Sequence, residues 1–594
     1  MPGFILSIHN GPSFKLNEEK RGHLLVERKE GPDFTLERRT LPRFLGDKVF
    51  DETPELLILT EGVILNKSEL TARYAPSGDF AACIREMYRQ EGETFFNAFR
   101  GSFSGVLYDK KADKWLVYTD HIGDKQVFWA QTRDGWLLGS EIGFLAGTLQ
   151  ANGLPLTLDE TGAYQVLTHG FTFESRTLLR EIHKLIPGRY WKLEKGQWEH
   201  LRYHRFHNTP KEDMTVEEAV EGIDRLFRQA IRREFDKDRE YGYRHLCCLS
   251  GGLDSRMTCW VAHEMGYTEQ LNITFGQSNC PDFSIAQSIA TDLEHDFLFK
   301  PLDHGHCVDL LDEVTDITWG SANFFSLCHG KSMEDLINYA PFGLIHTGQI
   351  GDSVIGTFFR QNGVRKDYHV GMAAYSQELI ERLAAYRFEE DYDNEEIFCL
   401  YTRAFTGANQ GLLTFQENSE SYSPFTDVDV LEFCYTIPVH LRYGHKVYFD
   451  WILRKYPGAA RYKWEKTHDY IRAFENKTPR SMQIGAYRLP AVTEKQFWIW
   501  LNGAILRRLG LRKKGEKTRT VTIATADNMN PVDYWYAEDG YMARFITGYW
   551  QQYKSLLPQG QLGKDMQHLF EDCVVYDKFH ALTVLATLRK IEKP

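Results

Sequence analysis

The hydrophobic pattern changes period once, near residue 214. Before that point the apolar positions come as short runs: Leu56–Leu59, Gly105–Tyr108, Trp115–Tyr118 and Trp136–Leu138. Turn chemistry separates them, as in Asp109-Lys-Lys-Ala-Asp113 and Arg133-Asp-Gly135. Short apolar runs bounded by such residues predict β-strands. The polar stretch His207–Asp213 reads as a linker. After it the spacing lengthens. Thr215 and Glu218 fit a capping box ahead of Ala219, Ile223, Leu226, Phe227 and Ile231, which recur at helical intervals. Then the elements alternate: a strand ending at Leu249, a helix Arg256–Met265 closed by Gly266, a strand Leu271–Phe275 and a helix Ser284–Leu293. Such alternation predicts a parallel α/β sheet. Beyond Leu400 the chain reads as largely helical and aromatic-rich, and no internal repeat is visible. The expected division is 1–205, a linker 206–213, an α/β unit 214–480 and a mainly helical extension 481–594.

Composition narrows the class. A length of 594 residues with 42% hydrophobic content allows more than one ordinary core. The net charge of −12 argues against general nucleic-acid binding. Ten cysteines without paired CxxC spacing suggest neither a zinc ribbon nor a disulfide framework, and their scatter fits a reducing compartment. The first residues lack a basic segment followed by a long apolar core, and no run approaches a membrane span. The expectation is a cytoplasmic protein with no nucleic-acid or membrane partner.

The most informative segment is Ser250-Gly251-Gly252-Leu253-Asp254-Ser255, between the strand and the helix. A glycine turn at a helix start offers backbone N–H groups to a phosphate. Asp254 adds a carboxylate that can hold a magnesium ion bridging phosphates. No Gly-Lys-Ser/Thr follows, so this is not the common nucleotide P-loop. It resembles instead the PP-loop of ATP pyrophosphatases, which split ATP into AMP and pyrophosphate.

Further motifs, in order, resemble the asparagine synthetase family over roughly residues 1–470. These are Asp120–Lys125 with Val127-Phe-Trp129, Gly139–Ile142, Leu185–Gly188, Thr274-Phe275-Gly276 with Asp282, Thr347–Asp352, Glu420–Asp427 and Lys466. The resemblance implies an Ntn-type αββα sandwich followed by a PP-loop parallel sheet. It departs at the glutamine site. Where the family begins Met-Cys-Gly this chain has Met1-Pro2-Gly3, so the nucleophilic thiol is replaced. The family's Asn-Gly-Glu is Glu61-Gly62-Val63, and its later aspartate is Arg100. Glu61 cannot donate to an oxyanion, and neither Val63 nor Arg100 can bind an ammonium. β-Lactam synthetases and lasso-peptide cyclases are family members that similarly lack the cysteine.

The resemblance therefore implies a C–N ligase that makes an acyl-adenylate without hydrolysing glutamine, using ATP and Mg2+. Leu249, Ser250–Ser255, Phe275 and Gly348 are the expected ATP-binding residues, and Asp254 and Asp352 the metal ligands. Lys466 and Glu420 are the expected catalytic residues, with Lys463 competing for the first role and a structural or substrate-side carboxylate as the other reading of Glu420. Gln349 replaces a family glutamate and cannot act as a base, which leaves Glu389, Glu390 and Asp391 to consider. The substrates would be a small-molecule or peptide carboxylate and an amine, and a homodimer is allowed. Asparagine synthesis from aspartate and free ammonia, and a non-catalytic scaffold, stand as alternatives. His304 and His306 read as an exposed loop rather than a metal site. The basic residues Arg507, Arg508, Arg512, Lys513, Lys514, Lys517 and Arg519 read as a solvated loop, with docking of an acidic partner as the other option.

Overall fold

The computed structural model describes residues 2–11, 13–18, 21–355, 363–472, 482–484, 487–489, 528–538 and 540–592. The basic stretch 507–519 lies outside them. Two six-stranded antiparallel sheets occupy the first 202 residues. One runs His183–Lys184, Phe128–Thr132, Gly135–Gly139, Gly3–His9, Phe34–Thr40, Leu25–Glu30 in spatial order; the other runs Gln197–Arg202, Arg189–Glu194, Lys114–Thr119, Gly101–Asp109, Leu56–Ile64, Val49–Glu52. Side-chain alternation builds the layers. From strand Leu56–Ile64, Leu57 and Leu59 enter the space between the sheets with Phe4, Leu6, Val106, Trp115 and Trp191. Ile58 and Ile64 turn the other way, onto Ile84 and Met87 of helix Phe80–Glu91. On the far side Ile5 and Leu137 meet Ile142, Leu145 and Leu149 of helix Ile142–Ala151. The result is a helix–sheet–sheet–helix sandwich, as the family resemblance implies; the strand pattern alone indicates only a mainly β first half.

The segment His207–Asp213 has no regular structure, yet it is tied down. Thr209 N–H donates to Tyr435 O at 3.2 Å and Lys211 N–H to Thr436 O at 2.8 Å. Helix Val216–Glu240 then starts on the expected capping box, with Thr215 Oγ1 accepting from Glu218 N–H and Glu218 accepting from Thr215 N–H. Its buried stripe is Ala219, Ile223, Phe227 and Ile231, while Leu226 is only partly covered.

A five-stranded parallel sheet follows. Its order is Asp296–Pro301, Gln270–Gly276, Arg244–Cys248, Phe342–His346, Ser421–Tyr422. Numbered along the chain this is 3-2-1-4-5, so the winding direction reverses between strands Arg244–Cys248 and Phe342–His346. Open parallel sheets bind ligands beyond the carboxyl ends of the strands at such a reversal.

The C-terminal segment supplies helices Val532–Glu538, Tyr541–Tyr553, Gln561–Asp572 and Val575–Glu592. Their apolar faces share one buried cluster with Ala163, Val166 and Leu167 of helix Glu160–His169 and with residues 302–328. The last helices thus lie across both the sandwich and the parallel-sheet region. No described helix is long and apolar enough to cross a membrane.

Candidate active site

The chain leaves strand Arg244–Cys248, turns through Ser250, Gly251 and Gly252, and enters helix Leu253–Glu264. The glycine at 251 is required by close approach, since a Cβ there would lie 2.9 Å from Glu465 Cβ and 3.1 Å from Asp282 Cα. The loop is organised by short polar side chains. Ser250 N–H donates to Ser255 Oγ at 3.0 Å, Gly252 N–H to Ser250 Oγ at 3.2 Å, and Gly251 N–H to Asp282 Oδ1 at 3.2 Å.

Across the reversal, Thr347–Asp352 follows strand Phe342–His346 and presses against the start of the same helix. A Cβ on Gly348 would lie 2.3 Å from Ser255 N, and one on Gly351 2.7 Å from Asp254 Cγ. Between them Ile350 has φ 59°, a costly conformation for a β-branched residue. This packing brings the two aspartates together. Asp352 N–H donates to Asp254 Oδ2 at 2.9 Å, and Tyr448 Oη donates to Asp254 Oδ1 at 2.7 Å. Burial, and then the charge of Asp352, push the Asp254 carboxyl up to about 8. A hard divalent cation would relieve that crowding, so the donor set fits Mg2+.

These groups open into a cavity of about 1730 Å³. Leu249, Ser250, Gly252–Ser255, Phe275, Gly348, Gln349, Asp352 and Lys466 all line it. Gly251 lies behind, packed on Asp282 and Glu465. Lys466 Nζ sits over the Trp464 ring, 5.3 Å from its centroid. Lys463 is not part of the lining; its carbonyl accepts from Arg256, which is buried beneath the loop.

Glu420 is elsewhere. It is 2% exposed, with Lys125 Nζ at 2.5 Å from one oxygen and Lys48 Nζ at 3.1 Å from the other. Burial alone would raise its pKa, but the two lysines hold it down to about 2. It is a locked counter-ion, outside the cavity and unsuited to proton transfer near neutrality. Glu389, Glu390 and Asp391 are also outside the lining. Glu390 pairs with Arg189 and Arg202 of the sandwich, Glu389 accepts from Ser175, and the Asp391 carbonyl accepts from Arg205.

Glu420 belongs to a buried chain of charges that runs into the sandwich. Lys48 also faces Glu61 at 3.9 Å, and Glu61 accepts from Arg38 Nε at 2.8 Å and Thr40 Oγ1 at 2.7 Å. Next to it Asp124 accepts from Ser102 and Asn409. Arg100 turns away from this interior and pairs with Asp429 at 2.9 Å. Pro2 is buried.

Sequence reasoning missed the cavity's other walls. His169, Gly170 and Phe171 come from the sandwich, His445 and Tyr448 from the region after the sheet, and His568, Asp572, Cys573, Tyr576, Asp577 and His580 from the last helices. No local motif marks them, because tertiary packing alone brings them here. His304 and His306 are not in the lining; His306 packs on Tyr541 with ring centroids 3.8 Å apart.

Comparison with known proteins agrees with this architecture. A family model described as a glutamine amidotransferase domain matches residues 49–204. An asparagine synthetase (glutamine-hydrolyzing) of Asparagus officinalis is 23% identical over 349 residues, covering 54% of this chain and 52% of that protein. The corresponding enzyme of Cricetulus griseus is 26% identical over 293 residues, covering 44% and 46%. Amidase chyE of Penicillium rubens is 26% identical over 177 residues, covering 28% of this chain and 24% of that protein. The matched stretches therefore span about a quarter to about half of these relatives' own length. A two-sheet sandwich joined to a parallel sheet with a glycine loop at its reversal is the class defined here. Over about half of its length the chain is similar to asparagine synthetases, and its first half carries a stretch that matches a glutamine amidotransferase domain.

Proposed function

We propose that the protein is an ATP-dependent, AMP- and pyrophosphate-forming amide ligase that does not hydrolyse glutamine. The observation that carries this reading is the meeting of the glycine loop and Thr347–Asp352 at the sheet reversal, with Asp254 and Asp352 hydrogen-bonded across it.

In this reading the nucleotide base lies between Leu249 and Phe275, and the phosphates lie on Ser250–Ser255 with Gly348 beside them. Asp254 and Asp352 would hold Mg2+, which would neutralise phosphate charge there. A substrate carboxylate oxygen attacks the α-phosphorus, and the bond to the β-phosphate oxygen breaks to release pyrophosphate. An amine then attacks the acyl carbon; the C–N bond forms, AMP departs with the electron pair, and the amine proton is lost. Lys466 balances the negative charge that builds in both steps. Gln349, a neutral amide in the lining, accepts no proton.

The interior of the sandwich supports the absence of glutamine chemistry. Where the family places an oxyanion donor, Glu61 is an acceptor held by Arg38 and Thr40. Arg100, in place of an ammonium-binding carboxylate, is engaged with Asp429. The test is pyrophosphate release by the full chain with ATP, Mg2+ and panels of carboxylates and amines. Release without glutamate formation from added glutamine is expected. Absence of both ATP binding and release would defeat the ligase reading, and aspartate plus ammonium as the sole active pair would make it an ammonia-dependent asparagine synthetase.

A further inference from the structure

The outer wall of the cavity carries chemistry that nucleotide activation does not use. Helix Gln561–Asp572 ends at Cys573, and the final helix begins at Val575. At this corner His568 and Asp572 stand four residues apart on one helical face. His568 Nδ1 lies 2.9 Å from Asp572 Oδ2, and His568 Nε2 lies 3.7 Å from Cys573 Sγ. Glu378 reaches the same point from another segment, and its oxygen, the imidazole nitrogen and the sulfur all lie within 4.8 Å of one another. Glu378, His568 and Cys573 all line the cavity.

This geometry suits a metal as well as a weak sulfur hydrogen bond, and Glu378 beside both atoms adds a third ligand. With Nδ1–H given to Asp572, Nε2 turns its lone pair toward the thiol. A carboxylate behind a histidine is the usual support of a metal-bound imidazole. Zinc bonds of about 2.1 Å to nitrogen and about 2.3 Å to sulfur, at a tetrahedral angle, set the two ligands about 3.6 Å apart. The observed 3.7 Å matches that spacing. A sulfur, nitrogen and oxygen set selects a borderline-soft ion over Mg2+ or Ca2+. A Cys–His–Asp nucleophile is the competing reading. Glu378 at the same point is a third ligand type that such a nucleophile pair does not use, and its oxygen lies within 4.8 Å of both the sulfur and the imidazole nitrogen. Asp238, His245 and His346 form another group of metal-ligand types, but it is closed. One Asp238 oxygen sits 2.8 Å and 2.7 Å from the two rings, which are hydrogen bonds with no space for an ion.

We propose that Glu378, His568 and Cys573 form a zinc site on the cavity rim, oriented by Asp572, with the fourth coordination position open to the cavity. Three protein ligands and one exchangeable position are the arrangement of zinc sites that engage a substrate. An amine or carboxylate entering the cavity can displace a water there. The site stands independently of the nucleotide reading.

The test uses the full chain, stripped with a chelator and titrated with Zn2+ against a competing indicator, and separately with Co2+. One equivalent should bind, and Co2+ should give a thiolate-to-metal charge-transfer band. Cys573→Ser should abolish the band, and His568→Ala should remove tight binding. Asp572→Asn, an exposed change, should keep the stoichiometry and weaken affinity about 10–100-fold. Failure to bind one equivalent at micromolar free metal would overturn the proposal. So would binding, or a cobalt band, that survives in the Cys573 and His568 variants.

Discussion

Replacing Glu420 by glutamine separates a structural charge from a catalytic one. The side chain is 2% exposed, and its partners Lys125 and Lys48 are 2% and 5% exposed. A carboxyl held at about 2 instead of 4.5 favours its charged form by about 3 kcal/mol. Removing one member of a buried pair costs about 3–5 kcal/mol, because the remaining charges stay desolvated. The two routes agree, so Glu420→Gln should destabilise by about 3 kcal/mol. Adding Lys125→Met should recover part of the loss, since Lys48 keeps Glu61 as a neighbour at 3.9 Å. The pH dependence has a definite sign. The folded pKa is depressed, so the stabilisation is present above about 4.5 and is lost as pH falls toward about 2. The gap between wild type and variant should therefore narrow below about pH 4.5. Thermal midpoints across pH, with pyrophosphate release per folded molecule, provide the assay. An unshifted midpoint with slowed release would refute the reasoning and return Glu420 to the chemistry.

Three other outcomes are expected. Asp254→Asn should abolish pyrophosphate release and the thermal stabilisation by ATP with Mg2+, while the unliganded midpoint holds or rises, because a carboxylate facing Asp352 has been removed. Gly348→Ala should lower ATP affinity or turnover at least 100-fold, measured by titration and release, because its Cβ would meet backbone of the loop helix at 2.3 Å. His346, held between Glu234 and Asp238, keeps its proton to about 9 despite burial. Its contribution is full below about 6.5 and is lost as pH rises through about 9, so His346→Gln should flatten the thermal midpoint over that window.

Local signals carried the elements, and burial decided the rest. The Thr215 cap, the glycine loop and the alternating strands are written in neighbouring residues, so their positions were legible to within a few residues. The helix after the glycine loop begins at Leu253, earlier than the apolar spacing suggested, because the glycine turn itself starts it. Asp254, Asp352 and Lys466 were legible as cavity residues because each follows a recognisable turn. The sequence left Glu420 between a catalytic and a structural carboxylate because its motif lies next to the sheet, whereas its side chain meets lysines some 300 and 370 residues earlier in the chain. The cavity's outer wall was invisible for the same reason: His568 and Cys573 gain meaning only when Glu378 is brought beside them.

Helix Glu160–His169 has a consequence for how this chain can change over evolution. It belongs to the sandwich, yet Tyr164 donates to Asp565 at 2.9 Å and His580 contacts the Leu167 carbonyl at 3.2 Å. The sandwich and the last helices are therefore clasped together, and both wall the cavity that the glycine loop lines. The first half cannot simply be deleted, because deletion would uncover the apolar side of the final helices and open the cavity on one side. Gene fusions or chimeras that exchange the first half alone should fail in solubility before they fail in catalysis. Exchanging both ends as a matched pair is the substitution this architecture permits.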